Sequence, residues 1–98
     1  MNIAVIYGGR SGEHEVSLIS AAAIASGISK EHKVILIGIS KDGRWYLQPE
    51  SEYERICKDE KAAFTITQNE SMLVSVVPGA KKNAFVSGGK PLDVDVVF

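Results

Sequence analysis

The sequence lacks the features that mark secreted and membrane-bound proteins. Its 98 residues contain a single cysteine, Cys57, so no intrachain disulfide can form, whereas small extracellular domains usually depend on several. The first apolar run, residues 3–7, is too short for a membrane span or a signal peptide and has no basic flank. We therefore expect a cytoplasmic protein with no membrane partner.

Charge of one sign is also lacking. Eleven basic residues face twelve acidic ones, which leaves a net charge of -1 with no block of like charge. Proteins that bind nucleic acids need a basic surface, so no nucleic-acid partner is predicted. His14, His32 and Cys57 do not have the spacing of zinc ligands, and no metal site is predicted within this chain.

What the chain does contain is an α/β pattern with enough apolar residues, 45%, for one modest core. Residues 2–7 and 34–39 are almost continuously apolar, which is typical of parallel strands buried on both faces. Between them, residues 13–28 favour a helix. This βαβ unit predicts that the first connecting loop lies at the carboxyl edge of a mostly parallel sheet, where such folds bind ligands.

The predicted helix carries two apolar stripes, and its small side chains suggest close packing on the sheet. One stripe has Val16, Ile19, Ala23 and Gly27, and the neighbouring one has Leu18, Ala22, Ala25 and Ile28. A second, short helix is expected over residues 50–61, after Pro49, with Tyr53, Ile56 and Cys57 on its apolar side.

The remaining segments read as extended. A turn at residues 41–43 predicts that residues 45–47 fold back along the second strand. A strand over residues 72–77 is expected to pair with residues 84–86, and residues 92–98 read as a last buried strand. Because a core strand seldom ends a natural domain at its carboxyl edge, we expect the chain to be a fragment of a longer protein.

The most informative stretch is the first strand-to-helix connection, residues 8–17, with the sequence GGRSGEHEVS. A glycine-rich turn before a helix usually suits phosphate, but Glu13 and Glu15 would repel an anion and attract an ammonium group. Acids are also favoured in the first helical turn simply by the helix dipole. The spacing of the glycines matches neither the dinucleotide fingerprint nor the phosphate loop.

Residues 8–21, with the sequence GGRSGEHEVSLISA, resemble the N-terminal signature of D-alanine-D-alanine ligases, members of the ATP-grasp superfamily. Two further stretches support the resemblance: residues 37–45 resemble the second-strand segment of the family, and residues 95–98 resemble the strand before its His-Gly substrate loop. The resemblance implies a Rossmann-like, pre-ATP-grasp, three-layer domain. It also implies that residues 1–98 are the N-terminal substrate-binding domain, without the ATP-grasp domains.

The resemblance implies an enzyme that uses ATP and Mg²⁺ to phosphorylate the carboxylate of one D-alanine, after which a second D-alanine attacks the acyl phosphate. Its product enters peptidoglycan synthesis. By position in the motif, Glu13 would hold the ammonium of the first D-alanine, Val16 would lie beside that substrate, and Ser17 would belong to the same wall. ATP and Mg²⁺ would bind to later domains, so the fragment alone would be inactive, and the full-length enzyme would be a homodimer.

Two alternatives stay open on the sequence. A D-alanine-D-lactate ligase would share this signature, because the residues that select the second substrate lie outside it. A non-enzymatic α/β binding or regulatory module, such as a receiver-like domain, would instead need an aspartate pair at the end of the first strand. Tyr7 and Gly8 occupy that place, which counts against it.

Overall fold

The computed structural model describes residues 1–9, 14–59, 61–76 and 85–98, with the side chains of residues 14 and 15 outside this description. The described part is a mixed α/β fold. In chain order it contains β1 (Asn2–Gly8), α1 (His14–Ser26), β2 (Lys33–Ile39), β3 (Trp45–Leu47), α2 (Glu50–Lys58), a 3-10 helix (Glu70–Met72), β4 (Val74–Val76), β5 (Phe85–Ser87), β6 (Lys90–Pro91) and β7 (Val96–Val97).

The main sheet has the strand order β3-β2-β1-β7 and is mostly parallel, as predicted. β1 pairs in parallel with β2 over its whole length, from Asn2 opposite Lys33 to Gly8 opposite Ile39. β7 adds to the other side of β1 in parallel, and β3 turns back antiparallel to β2. The predicted βαβ unit is therefore confirmed, with the connection after β1 at the carboxyl edge.

Different layers cover the two faces of this sheet. On one face, α1 and α2 bury Val5 and Tyr7 of β1 together with Leu36 of β2. On the other face, a small antiparallel sheet of order β4-β5-β6 and the segment before β7 bury Ala4 and Ile37. Because side chains alternate along a strand, the continuous apolar runs of β1 and β2 supply both cores.

Of the two predicted stripes of α1, the one that contains Leu18, Ala22 and Ala25 packs against the sheet. The buried residues of α1 are Ala21, Ala22 and Ala25, and Leu18 packs against the same core. Val16 and Ile19 of the other predicted stripe are 60% and 61% exposed, and Ala23 and Gly27 are exposed as well. Alanine is favoured against the sheet because a small side chain lets the helix backbone approach closely.

Three further predictions need correction. Helix α2 ends at Lys58 rather than residue 61, and its inward side holds Glu52 and Ile56 while Cys57 is exposed. The strand predicted over residues 92–98 is paired as a strand only at Val96–Val97, and Phe98 is exposed. The strand predicted from residue 72 begins at Val74, because Glu70–Met72 forms a 3-10 turn capped by Asn69. The predicted pairing of this strand with residues 84–86 is confirmed for Phe85 and Val86.

Candidate functional site at the carboxyl edge of the sheet

Backbone N–H groups at the end of β1 form hydrogen bonds with α1 and with the end of β2. Gly8 and Gly9 have φ angles of 90° and 117°, in the region that favours glycine. The N–H of Gly8 donates to Ser17 Oγ at 2.9 Å, and the N–H of Gly9 donates to the carbonyl of Ile39 at 3.0 Å. The chain therefore leaves β1 in a fixed direction, anchored to α1 and to the end of β2.

Of the predicted site residues, Val16 and Ser17 fall in the described part of the chain and Glu13 lies outside it. Val16 is exposed on the first turns of α1. Ser17 lies within the helix, where its hydroxyl oxygen accepts from Gly8 rather than capping the helix. Ser17 thus ties the start of α1 to the end of β1, a role that the sequence pattern did not reveal.

A cleft of about 240 Å³ opens beside this junction, at the carboxyl edge of the sheet, and is lined by Leu18, Ser40, Lys41, Ile66 and Gln68. Ile66, one of these lining residues, packs against Gly38, where an added Cβ would lie 3.0 Å from a methylene of Ile66. The Ile66 side chain packs directly on the strand backbone here, so any larger residue would require Ile66 to shift by a few tenths of an ångström.

The turn after β2 forms one wall of the cleft and is organised by Ser40. The hydroxyl of Ser40 donates to the Asp42 carboxylate, and the Arg44 N–H donates to Ser40 Oγ at 3.2 Å. The hydrogen bond from Ser40 is the main reason that the pKa of Asp42 lies below its ordinary value. Asp42 therefore stays ionised to lower pH than an isolated aspartate.

The other wall belongs to residues 61–69, which we call the 61–69 segment; it contains neither helix nor strand. Phe64 in this segment is 1% exposed, and its ring stacks on Tyr7 with the ring centres 4.3 Å apart. The N–H of Phe64 donates to the carbonyl of Leu18 in α1 at 3.1 Å. The segment therefore touches both the last strand residues before the loop and the first turns of α1.

Side chains, and not a neighbouring strand, supply hydrogen-bond partners for the backbone of this segment. The Gln48 amide accepts from the Thr67 N–H at 2.8 Å and donates to the Thr67 carbonyl at 3.1 Å. Oε2 of Glu52 accepts from the N–H and the hydroxyl of Thr65 at 2.7 and 2.6 Å. The Arg55 guanidinium donates to Glu52 Oε1 and to the Ala63 carbonyl, both at 2.9 Å.

Glu52 is 7% exposed and is the central charge of this network. Burial acts to raise the pKa of Glu52, but the hydrogen bonds from Thr65 and Arg55 outweigh it, so that the pKa lies below its ordinary value. Burial, followed by the charge of Glu52, raises the pKa of Tyr7, whose hydroxyl donates to the Thr65 carbonyl. Helical spacing offered one signal for Glu52, since it lies four residues before the buried Ile56.

A second cleft, of about 230 Å³, lies at the opposite end of the sheet. It is lined by residues at the amino ends of β1 and β2, including Asn2 and Lys33, together with Tyr53 and Leu92. It is therefore separate from the carboxyl end of β1. In the described part of the chain, no group of three or more His, Cys, Asp or Glu side chains could hold a metal ion. None of the helices described is long and apolar enough to cross a membrane.

Comparison with known proteins identifies the family. The sequence model of the family described as D-ala D-ala ligase N-terminus matches residues 2–98. The chain belongs to this family. It is 52% identical to the D-alanine--D-alanine ligase of Treponema denticola and 41% identical to that of Treponema pallidum. These matches cover 100% of this chain but 27% and 25% of the two relatives, so the chain spans about a quarter of their length.

Solved structures give the same result for the fold. The VanG D-Ala:D-Ser ligase from Enterococcus faecalis aligns with a TM-score of 0.72 and 34% identity, over 99% of this chain and 27% of that one. The D-alanine-D-alanine ligase from Coxiella burnetii aligns with a TM-score of 0.74 and 25% identity, over 100% and 27% of the two chains. The family that residues 8–21 resemble is thereby confirmed.

Proposed function

We propose that this chain is the N-terminal, substrate-binding part of an ATP-dependent ligase that joins two D-alanine molecules for peptidoglycan synthesis. The observation that carries the proposal is the family match over residues 2–98, together with relatives that are named D-alanine--D-alanine ligases. The reaction proceeds through an acyl phosphate on the first D-alanine, which the amine of the second attacks with release of phosphate. The parallel βαβ unit also supports the description of the domain as Rossmann-like.

Within the proposed site, Glu13 holds the ammonium of the first D-alanine, and Val16 and Ser17 form the wall beside it. The exposure of Val16 leaves its side chain available to a ligand. Ser17 supports the same turn through its hydrogen bond with Gly8. A carboxylate that binds an ammonium contributes about 1.5 to 3 kcal/mol, which orients the substrate but does not perform the chemistry.

The relatives are about four times as long as this chain. We propose that ATP and Mg²⁺ bind to the part of the full-length protein that corresponds to the rest of those relatives. ATP supplies the phosphoryl group, and Mg²⁺ supplies positive charge at the phosphates. We assign none of the described residues to the metal, since they form no cluster of three or more His, Cys, Asp or Glu side chains. We also place the protein in the cytoplasm, in keeping with its single, exposed cysteine.

The full-length protein is proposed to act as a homodimer through the exposed apolar face of α1. Ile19 and Ile24 on this helix are 61% and 55% exposed, and no charged residue lies between them in the sequence. Clustered apolar side chains on a surface are typical of contacts between proteins. Light scattering of the full-length protein would check the dimer, and Ile19→Asp is expected to shift it to a monomer.

We propose D-alanine as the second substrate as well as the first. One similar structure is titled a D-Ala:D-Ser ligase, and the sequence also allowed D-lactate. ADP release by the full-length protein should be measured with D-alanine alone and with D-alanine plus D-serine or D-lactate. Dipeptide formation from D-alanine alone supports the proposal. A protein that neither binds ATP nor responds to D-alanine would instead be a non-enzymatic α/β module.

Glu13→Gln in the full-length protein tests the assigned site. Loss of the carboxylate charge weakens the pairing with the substrate ammonium, so the KM for the first D-alanine should rise about tenfold or more. The KM for ATP should change much less. Equal losses for both ligands would remove Glu13 from the D-alanine pocket.

A further inference from the structure

We propose that Glu52 is a positioning residue for the substrate site: through the 61–69 segment it holds the start of α1 in place. This inference rests on the proposed function for its effect on catalysis. Glu52 itself lies on α2 and contacts Thr65 and Arg55, so it acts on the site only through other residues.

The first step runs from Glu52 to the backbone of the 61–69 segment. The two carboxylate oxygens of Glu52 have different partners: Oε2 accepts two hydrogen bonds from Thr65, and Oε1 accepts one from Arg55. Arg55 in turn donates to the carbonyl of Ala63. Both sides of Phe64 are therefore fixed by one carboxylate and the guanidinium paired with it.

The second step runs from Phe64 to the beginning of α1. Phe64 donates its N–H to the Leu18 carbonyl and stacks its ring on Tyr7. Leu18 directly follows Ser17, and Tyr7 directly precedes Gly8. Ser17 and Gly8 are themselves joined by a hydrogen bond. The 61–69 segment thus braces both the end of β1 and the start of α1, which carries Val16 and Ser17.

Glu52→Gln is the most informative substitution because it keeps the shape of the side chain but replaces one acceptor oxygen with an NH₂ donor. Whichever way the amide is turned, its NH₂ faces either the donors of Thr65 or the guanidinium of Arg55. One side of the network is then lost. Glu54→Gln is the matched control, since Glu54 lies on the same helix and is exposed.

The test uses the full-length protein and two readouts. In Glu52→Gln, the KM for the first D-alanine should rise about tenfold, while the KM for ATP stays within about twofold of wild type. Backbone amides in the first turns of α1 should also exchange hydrogen faster than in Glu54→Gln, at a temperature where both variants are folded. Loss of stability with unchanged KM and unchanged exchange in α1 would overturn the inference.

A second pair of variants covers the case in which Glu52→Gln does not fold. Thr65→Val removes the hydroxyl donor to Glu52, whereas Thr65→Ser keeps it. The valine variant should reproduce the exchange and KM effects at smaller size, and the serine variant should match wild type. If wild type fails to use D-alanine, the proposed function fails, but the exchange measurement still decides on Glu52. Equal α1 exchange in Thr65→Val and Thr65→Ser would reject its positioning role.

Discussion

Two regions of the molecule meet at the candidate site, and they are held in different ways. The β1-α1-β2 unit is held by a continuous parallel ladder from Asn2 to Gly8 and by apolar side chains on both faces of the sheet. The 61–69 segment has no ladder of its own. Gln48, Glu52 and Arg55 satisfy its backbone groups with their side chains.

The difference shows how a segment without a strand ladder can still be fixed in place around one buried residue, Phe64. Buried backbone N–H and carbonyl groups need partners, and a side-chain amide or carboxylate can supply them. Such partners depend on one residue each, whereas a ladder spreads the same task over many residues. Single substitutions should therefore damage the 61–69 segment more than most positions of the ladder.

Phe64→Ala should have the largest effect. The substitution removes a fully buried aromatic ring and its stacking on Tyr7, and we expect a loss of about 3 to 5 kcal/mol in the free energy of unfolding. Urea unfolding would measure it. Phe64→Leu, which retains most of the volume, should lose much less. Similar losses for both variants would show that the site tolerates no change of shape.

Glu52 should make the stability of this segment depend on pH. Because the folded pKa lies below the unfolded value of about 4.3, Glu52 contributes stability above that pH and loses it as the pH falls through the folded pKa. Glu52→Gln should be less stable than wild type by about 1 to 3 kcal/mol at pH 7. The difference should narrow below about pH 4.

Unfolding midpoints measured from pH 7 to pH 3 would check this dependence. The exposed Glu54→Gln should give a curve parallel to wild type. A gap between wild type and Glu52→Gln that stays constant over the whole range would contradict the assigned cause.

The smallest expected effects concern glycines of the β1-α1-β2 unit. Gly9→Ala places a side chain at a φ of 117°, and we expect a loss of about 1 to 2 kcal/mol. Gly27→Ala, just after α1, meets only ordinary contacts and should be neutral or stabilise by up to about 1 kcal/mol. Thermal melts of the two variants would separate backbone strain from loss of flexibility. A stabilised Gly9→Ala would show that the turn needs no glycine.

Much of the βαβ unit could be predicted because its signals are local. The apolar runs of β1 and β2, the glycines after β1 and the alanine-rich α1 each specify their own structure. Which stripe of α1 faces inward was not predictable in the same way, since both stripes are apolar. The structure turns Ala22 and Ala25 inward and leaves Val16 and Ile19 exposed, because small residues allow close packing.

At the candidate site, the sequence by itself determined the family, through the residues that follow β1, and the parallel order of β1 and β2. Only the tertiary structure decided that Ser17 accepts a hydrogen bond from Gly8 and that Phe64 stacks on Tyr7. It also decided that Glu52 holds the 61–69 segment. The physical reason is range. Periodicity and turn residues act between near neighbours, whereas no pattern in the sequence links a carboxylate to the backbone that it satisfies thirteen residues away.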